Sequence, residues 1–275
     1  AALMAACGAG EGDIAEFAAE LAADLADHAG DGALLVGAEQ PKEVHALALV
    51  LNQALGNVGR GIQLIEDPEG DRPSSLDGMT GLVTALNSGA VDTLVILGGN
   101  PVYDAPADLD FAAALAKAGT SIHLSLHDDE TSRAATWHLP MAHPFESWSD
   151  SLAWDGLWTL QQPLIAPLYD GHTAAQLVAL LSGEVETAPH KLVQNAAQAR
   201  GLGGVDFARA WRKALHDGFV ADSAAPAVNP GLDASGLAGV AQAMPDLVAA
   251  SGPSASAMEV VLTADGKVEE YYIEM

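Results

Sequence analysis

Apolar residues recur along this chain at two periods, and the pattern changes near Pro140. Ile14, Phe17, Leu21 and Leu25 share one face at helical spacing, with Asp13 placed to cap the helix and His28-Ala29-Gly30 to end it. Val44, Leu47, Leu51 and Leu55 predict a second helix closed by Gly56, and Leu76, Met79, Val83 and Leu86 a third. Asp108 to Lys117 reads as a short helix with Asp108 as its cap. Between these lie short apolar runs: Ala33–Val36, Ile62–Ile65, Thr93–Leu97, Ser121–Leu126 and Trp137–Met141. Thr93-Leu94-Val95-Ile96-Leu97 has no alternation, so it predicts a strand buried on both faces.

Strand and helix alternating in this way call for an α/β fold. The expected sheet is mostly parallel and Rossmann-like, with helices on both faces. After Pro140 the periodicity fades. Residues 143–170 hold three of the five tryptophans and several prolines and glycines, which predicts an irregular excursion with a hairpin around Asp155-Gly156. Helix returns from Thr173 to Leu181, stopped by Gly183, and again after Asp206 with Phe207, Trp211 and Leu215 inward. Residues 217–257 are rich in Ala, Ser, Gly and Pro and read as irregular with short helical turns. Glu259–Glu274 reads as a β-hairpin around Ala264-Asp265-Gly266-Lys267. The expected division is an α/β domain over 1–216 and a tail over 217–275.

Composition narrows the partners. The 275 residues are 49% hydrophobic, which allows a sizeable core. Thirty-seven acids against eleven Lys and Arg give a formal charge of -26. Nucleic acid and anionic membrane surfaces are therefore excluded as expected partners, since both need clustered cations. No apolar run is long enough for a membrane-spanning helix. The lone Cys7 permits neither an internal disulfide nor a four-cysteine cluster. No basic stretch followed by an apolar one marks a signal peptide, and a start at Ala1 fits a processed or excised chain.

Several residues are candidates for chemistry. The strand Thr93–Leu97 runs into Gly98-Gly99-Asn100-Pro101, and a strand ending in such a loop forms a ligand crevice at the carboxyl edge of an open sheet. Its glycines would let backbone amides approach a phosphate, but neither a GxGxxG fingerprint nor a P-loop lysine is present. His123, His127, His138 and His143 lie near Asp128, Asp129, Glu130, Glu146 and Asp150, a ligand set for zinc or manganese whose spacing matches no helical H-E-x-x-H site. Ser125 or Ser147 with a nearby His and Asp would be the raw material of a triad, without a G-x-S-x-G elbow. Trp137, Trp148, Trp154 and Trp158 read as glue between the excursion and the core.

Longer runs carry a resemblance. Leu97-Gly98-Gly99-Asn100-Pro101, then Asp129-Glu130-Thr131 and His138-Leu139-Pro140, resemble the molybdopterin oxidoreductase superfamily, as does Asn52-Gln53-Ala54-Leu55-Gly56-Asn57-Val58-Gly59. Asn100 to Phe111, His143 to Asp150 and Gln162 to Tyr169 resemble one branch, the large iron–sulfur subunit of bacterial alternative complex III. That subunit has a molybdoenzyme-like part without molybdopterin and a separate ferredoxin-like part carrying the clusters, in a complex that oxidises quinol. The resemblance implies that this chain is a piece of the molybdoenzyme-like part. It implies a non-catalytic structural and interaction domain with no cofactor and no metal of its own. Its partners would be the other subunits of a membrane-bound respiratory complex and the ferredoxin-like part, on the periplasmic side of the inner membrane. Gly98, Gly99, Asn100, Pro101, Glu130 and Thr131 match the positions that hold the nucleotide ends of the pterin cofactor in active superfamily members. Two alternatives stay open: a fragment that still binds molybdopterin guanine dinucleotide, and a metal-dependent hydrolase using His127 and His143.

Overall fold

A computed structural model describes residues 13–37, 40–67, 70, 74–231 and 234–249. Cys7 and the expected hairpin over 259–274 lie outside these. In chain order the elements begin with helices α1 (Asp13–Asp27), α2 (Lys42–Ala54) and α3 (Ser75–Asn87). Strand β1 (Thr93–Leu97), helices α4 (Pro101–Asp104) and α5 (Phe111–Leu115) and strand β2 (Thr120–Ser125) follow. Next come α6 (Glu130–Ala134), β3 (Trp137–Pro140), β4 (Ser149–Leu152) and β5 (Trp158–Gln161). The last four are α7 (Ala174–Leu181), α8 (Pro189–Ala199), α9 (Phe207–Asp217) and α10 (Ala234–Ala249). The fold is α/β, with a three-stranded parallel sheet and a separate antiparallel pair.

The described chain forms two compact units. One draws on the residues up to Glu66 and those from Ala225 on; the other is Asp67–Ala224. In the first unit the expected strands at Ala33–Val36 and Ile62–Ile65 do not form. The Leu34 amide and carbonyl are taken by the Asn52 side chain, at 2.9 and 2.8 Å. A carboxamide offers one donor and one acceptor side by side, so Asn52 substitutes for a neighbouring strand. Ile62–Ile65 makes isolated bridges only, to Val58 and to Ala227. The turn between Asn57 and Ile62 is held close by Gly61, where a Cβ would sit 2.7 Å from the Gly32 carbonyl oxygen. The face of α1 expected to be buried is open, for Phe17 and Leu21 are exposed. The expectation of an irregular 217–257 is corrected by α10, a sixteen-residue helix with Pro245 inside it.

In the second unit the parallel sheet has the order β1-β2-β3, Leu97 facing Leu124 and Leu124 facing Leu139. The strand buried on both sides is the central β2, with Ser121, His123, Leu124 and Ser125 all buried. β1 is an edge strand of this sheet and only half-buried, which corrects the expectation drawn from its apolar run. Val83 and Leu86 of α3 pack with Phe111, Ala114 and Leu115 of α5 against Leu94 and Ile96 of β1. The helix expected over Asp108–Lys117 is broken. A 3-10 turn at Ala107–Leu109 gives way to α5 through Asp110, whose φ of 46° interrupts helical backbone.

The hairpin around Asp155-Gly156 forms as β4–β5, Ser149 facing Gln161. It packs on α8 and α9 through Trp158, Leu160, Val193, Ala197, Trp211 and Ala214. Trp148 and Trp158 thus glue the excursion down, whereas Trp137 and Trp154 are exposed. α7 begins with the capping box Thr173–Gln176, the Thr173 hydroxyl accepting from the Gln176 amide and the Gln176 side chain from the Thr173 amide.

Candidate functional site

The carboxyl edge of the sheet is built by two tight turns. Gly98 and Gly99 adopt φ of 74° and 71°, the left-handed region where side chains are strained. At Gly99 the backbone angle, not space, demands glycine, since an added Cβ would meet nothing closer than Pro101 Cδ at 3.9 Å. The Gly98 amide continues the ladder to the Leu124 carbonyl at 2.8 Å, and Pro101 then opens the single turn of α4. After β2, Asp129 caps α6 by accepting the Ser132 amide at 2.8 Å.

Asn100 joins the two turns. It is 1% exposed, and Thr131 is wholly buried. Asn100 Nδ2 donates to Glu130 Oε2 at 2.8 Å. Asn100 Oδ1 accepts both the Thr131 hydroxyl, at 2.8 Å, and the Thr131 amide, at 3.1 Å. Thr131 Oγ1 in turn accepts the Val102 amide at 3.0 Å. Glu130 keeps its carboxyl below the usual carboxylate range chiefly through the bond from Asn100. Four of the six positions singled out by resemblance therefore meet here: Asn100 with Glu130 and Thr131, and Pro101 directly after Asn100.

His123, wholly buried, ties the glycine turn to α6. Its Nε2 lies 3.0 Å from the Gly99 carbonyl, which only accepts, so Nε2 carries the proton. Its Nδ1 faces Ser132 Oγ at 2.9 Å, with Asp129 Oδ1 3.6 Å away. Burial lowers the His123 pKa and outweighs the opposing pull of Asp129. For Asp129 burial acts upward, but the Ser132 amide, the Ser125 hydroxyl and the His123 ring together hold it below its ordinary value. The pair is thus a neutral imidazole beside an ionised carboxylate.

This wiring is not that of a nucleophile. Ser125 Oγ donates straight to Asp129 Oδ2 at 3.0 Å, and the histidine faces a different serine, Ser132. A triad needs the base between nucleophile and carboxylate, and that order is not made. Ser147 lies elsewhere, its hydroxyl on the His143 carbonyl at 3.4 Å. His143 accepts the Phe145 amide in a capping box completed by Glu146. His138 stands 6.4 Å from His123, ring centre to ring centre, and His127 is exposed. Among the described residues no three His, Cys, Asp or Glu side chains converge as a metal ligand set.

A second feature went unread in the sequence. A cleft of about 610 Å³ opens in the Trp/Pro-rich excursion, lined among others by Glu146, Trp148, Leu164, Ile165, Asp170 and His172. Its signal was the run Pro163-Leu164-Ile165-Ala166-Pro167, two prolines stiffening apolar residues with no helical or strand period. Comparison with known proteins finds no matching family model and no matching curated protein.

Proposed function

We propose that this chain is a cofactor-free, molybdoenzyme-like α/β domain of Rossmann-like descent, serving as a structural and interaction module of a quinol-oxidising respiratory complex. The reading follows the resemblance to the large subunit of alternative complex III. Its partners are the other subunits of that complex and a ferredoxin-like iron–sulfur part, on the periplasmic side of the membrane. The chain itself carries out no chemistry.

One observation carries the cofactor-free reading: the Asn100 side chain is buried, its oxygen accepting twice from Thr131 and its nitrogen donating to Glu130. A side chain that reads a nucleotide must present a donor or acceptor outward. Here both ends of the carboxamide close the domain's own loops, and every buried side-chain nitrogen or oxygen among the described residues has a partner. The Asn100 and Thr131 side chains therefore do not fit a pterin nucleotide, whose bonds would have to replace these. The loop reads as a frame kept for folding.

The test is direct. The purified chain is digested for molybdenum and tungsten analysis, and an acid extract is oxidised and scanned for pterin fluorescence. Neither metal nor pterin is expected near one equivalent. Either one at stoichiometric level, retained through gel filtration, would overturn the reading in favour of a molybdopterin guanine dinucleotide fragment.

A further inference from the structure

The excursion leaves several large apolar side chains exposed within a short stretch of chain. Phe145, Leu164, Ile165, Leu168 and Tyr169 are all exposed, Leu164 by 75% and Tyr169 by 82%. Phe145 and the Leu164–Ile165 pair are neighbours, because the Phe145 carbonyl accepts both amides, at 2.7 and 3.2 Å. Leu164 and Ile165 also line the 610 Å³ cleft, together with Trp148. Clustered exposed hydrophobics beside a concave surface mark an interaction site, whereas scattered ones mark nothing. Pro163 and Pro167 bracket the run and fix its backbone, so little order is lost when something docks there.

The charge around this surface selects the occupant. From Ala134 to His190 the chain contains no lysine or arginine, while Glu146, Asp150, Asp155, Asp170, Glu184 and Glu186 fall within it. Glu146 and Asp170 line the cleft itself. A second copy of this chain would bring the same carboxylates and the same charge of -26 against them. An anionic lipid surface is opposed in the same way. We infer that the surface around Phe145, Leu164 and Ile165 docks a basic, apolar-faced segment of a partner protein. Its apolar side chains lie on these residues, and its lysines or arginines lie near Glu146 and Asp170. The inference rests on the reading of the chain as an interaction domain, not on which complex it serves.

The experiment uses the full chain and fluorescent helical peptides of one length. One is built of leucine and lysine, one of leucine and glutamate, and one of serine and lysine. In low salt the leucine–lysine peptide is expected to bind saturably, about tenfold or more tighter than either control. Two variants map the contact: Leu164→Ser, at an exposed position, and Asp170→Asn. Asp170 has a φ of 54°, a region asparagine tolerates, so the charge is removed while the turn is kept. Each is expected to weaken binding about three- to tenfold with an unchanged melting temperature.

Equal binding of the leucine–glutamate peptide, or binding indifferent to both variants, overturns the inference. So does a concentration-dependent dimer that Leu164→Ser abolishes, which would give the surface to a second copy. A pterin-loaded chain that still binds the leucine–lysine peptide would remove the cofactor-free reading and leave this surface standing. A pterin-free chain that fails to bind it would do the reverse.

Discussion

At the scale of single residues, replacing Asn100 by alanine removes three hydrogen bonds at once. It leaves the Thr131 amide and hydroxyl buried without their acceptor. Unpaired buried groups cost more than the bonds gained on folding, so Asn100→Ala is expected to destabilise by about 3 kcal/mol. Urea unfolding followed by circular dichroism reads this as a lower midpoint at unchanged slope. A loss under about 1 kcal/mol would mean that the loops hold without their link.

His123 gives a pH signature with a definite sign. Its folded pKa is depressed by burial, so below about pH 6.5 the unfolded chain binds a proton that the folded chain refuses. Its neutral form therefore contributes stability that is complete above that pH and lost as pH falls toward the lowered folded value. Asp129, whose folded pKa is also depressed, loses its contribution only under its ordinary carboxylate value of 3.8, a separate window. The groups facing the ring are Asp129, Ser132, His138 and the Gly99 carbonyl. Unfolding midpoints between about pH 7.5 and 5.5 should fall more steeply for the native chain than for His123→Gln. Equal slopes would show that the imidazole does not govern this range. The identities of these residues were visible in the sequence, but their pairing was not. Asn100 and Thr131 are thirty-one positions apart and meet only because β1 and β2 run parallel.

At the scale of elements, Gly171 shows how a turn is set by contact. A Cβ there would sit 2.8 Å from the Ala142 amide nitrogen and 2.9 Å from Ala142 Cα, both backbone atoms. Neither can swing aside, so Gly171→Ala is expected to cost about 2–3 kcal/mol by overpacking and to disturb the cleft that Gly171 and Ala142 line. A thermal melt tests it, with Thr173→Ala as a milder neighbour expected to cost about 1 kcal/mol through its lost cap. If Gly171→Ala melts no lower than Thr173→Ala, the contact is not the constraint.

Elements with a strong period or clear stops were legible: α2, α3 and α9 follow their apolar stripes, α7 runs between Thr173 and the Gly183 stop, and the β4–β5 hairpin follows its Asp-Gly turn. The failures have physical causes. Ala33–Val36 has the composition of a strand, but strand formation needs a partner, and Asn52 takes the Leu34 backbone instead. α10 does carry apolar residues at helical spacing, Leu237, Val240, Met244 and Leu247, but they are set among alanine, glycine and serine and interrupted by Pro245, which argues against helix. α8 does carry a sequence signal, with Pro189 at its start and Leu192, Val193, Ala196 and Ala197 at helical spacing.

At the scale of the whole molecule, charge is the dominant fact. With 37 acids and 11 Lys and Arg, most carboxylates have no cation to meet. Among the described residues, carboxylates lie beside a Lys, Arg or His side chain at Asp24–His28, Asp31–Arg60, Asp128–Arg133, Asp217 with Lys213 and His216, and at the buried contact of Asp129 with the neutral His123. All but the last involve an exposed partner, and exposed pairs contribute little. Self-repulsion of the folded state therefore outweighs attraction, and screening it should stabilise the fold. Raising sodium chloride from about 0.05 to 0.5 M is expected to raise the melting temperature by about 2–8 °C. Because screening depends on ionic strength alone, choline chloride at matched strength should act alike, unlike salts ranked by exclusion from the surface. The same screening should weaken the leucine–lysine peptide at the Phe145–Ile165 surface. Salt thus stabilises the domain while loosening its partner. A melting temperature that falls with salt would show that ion pairs, not repulsion, set the balance.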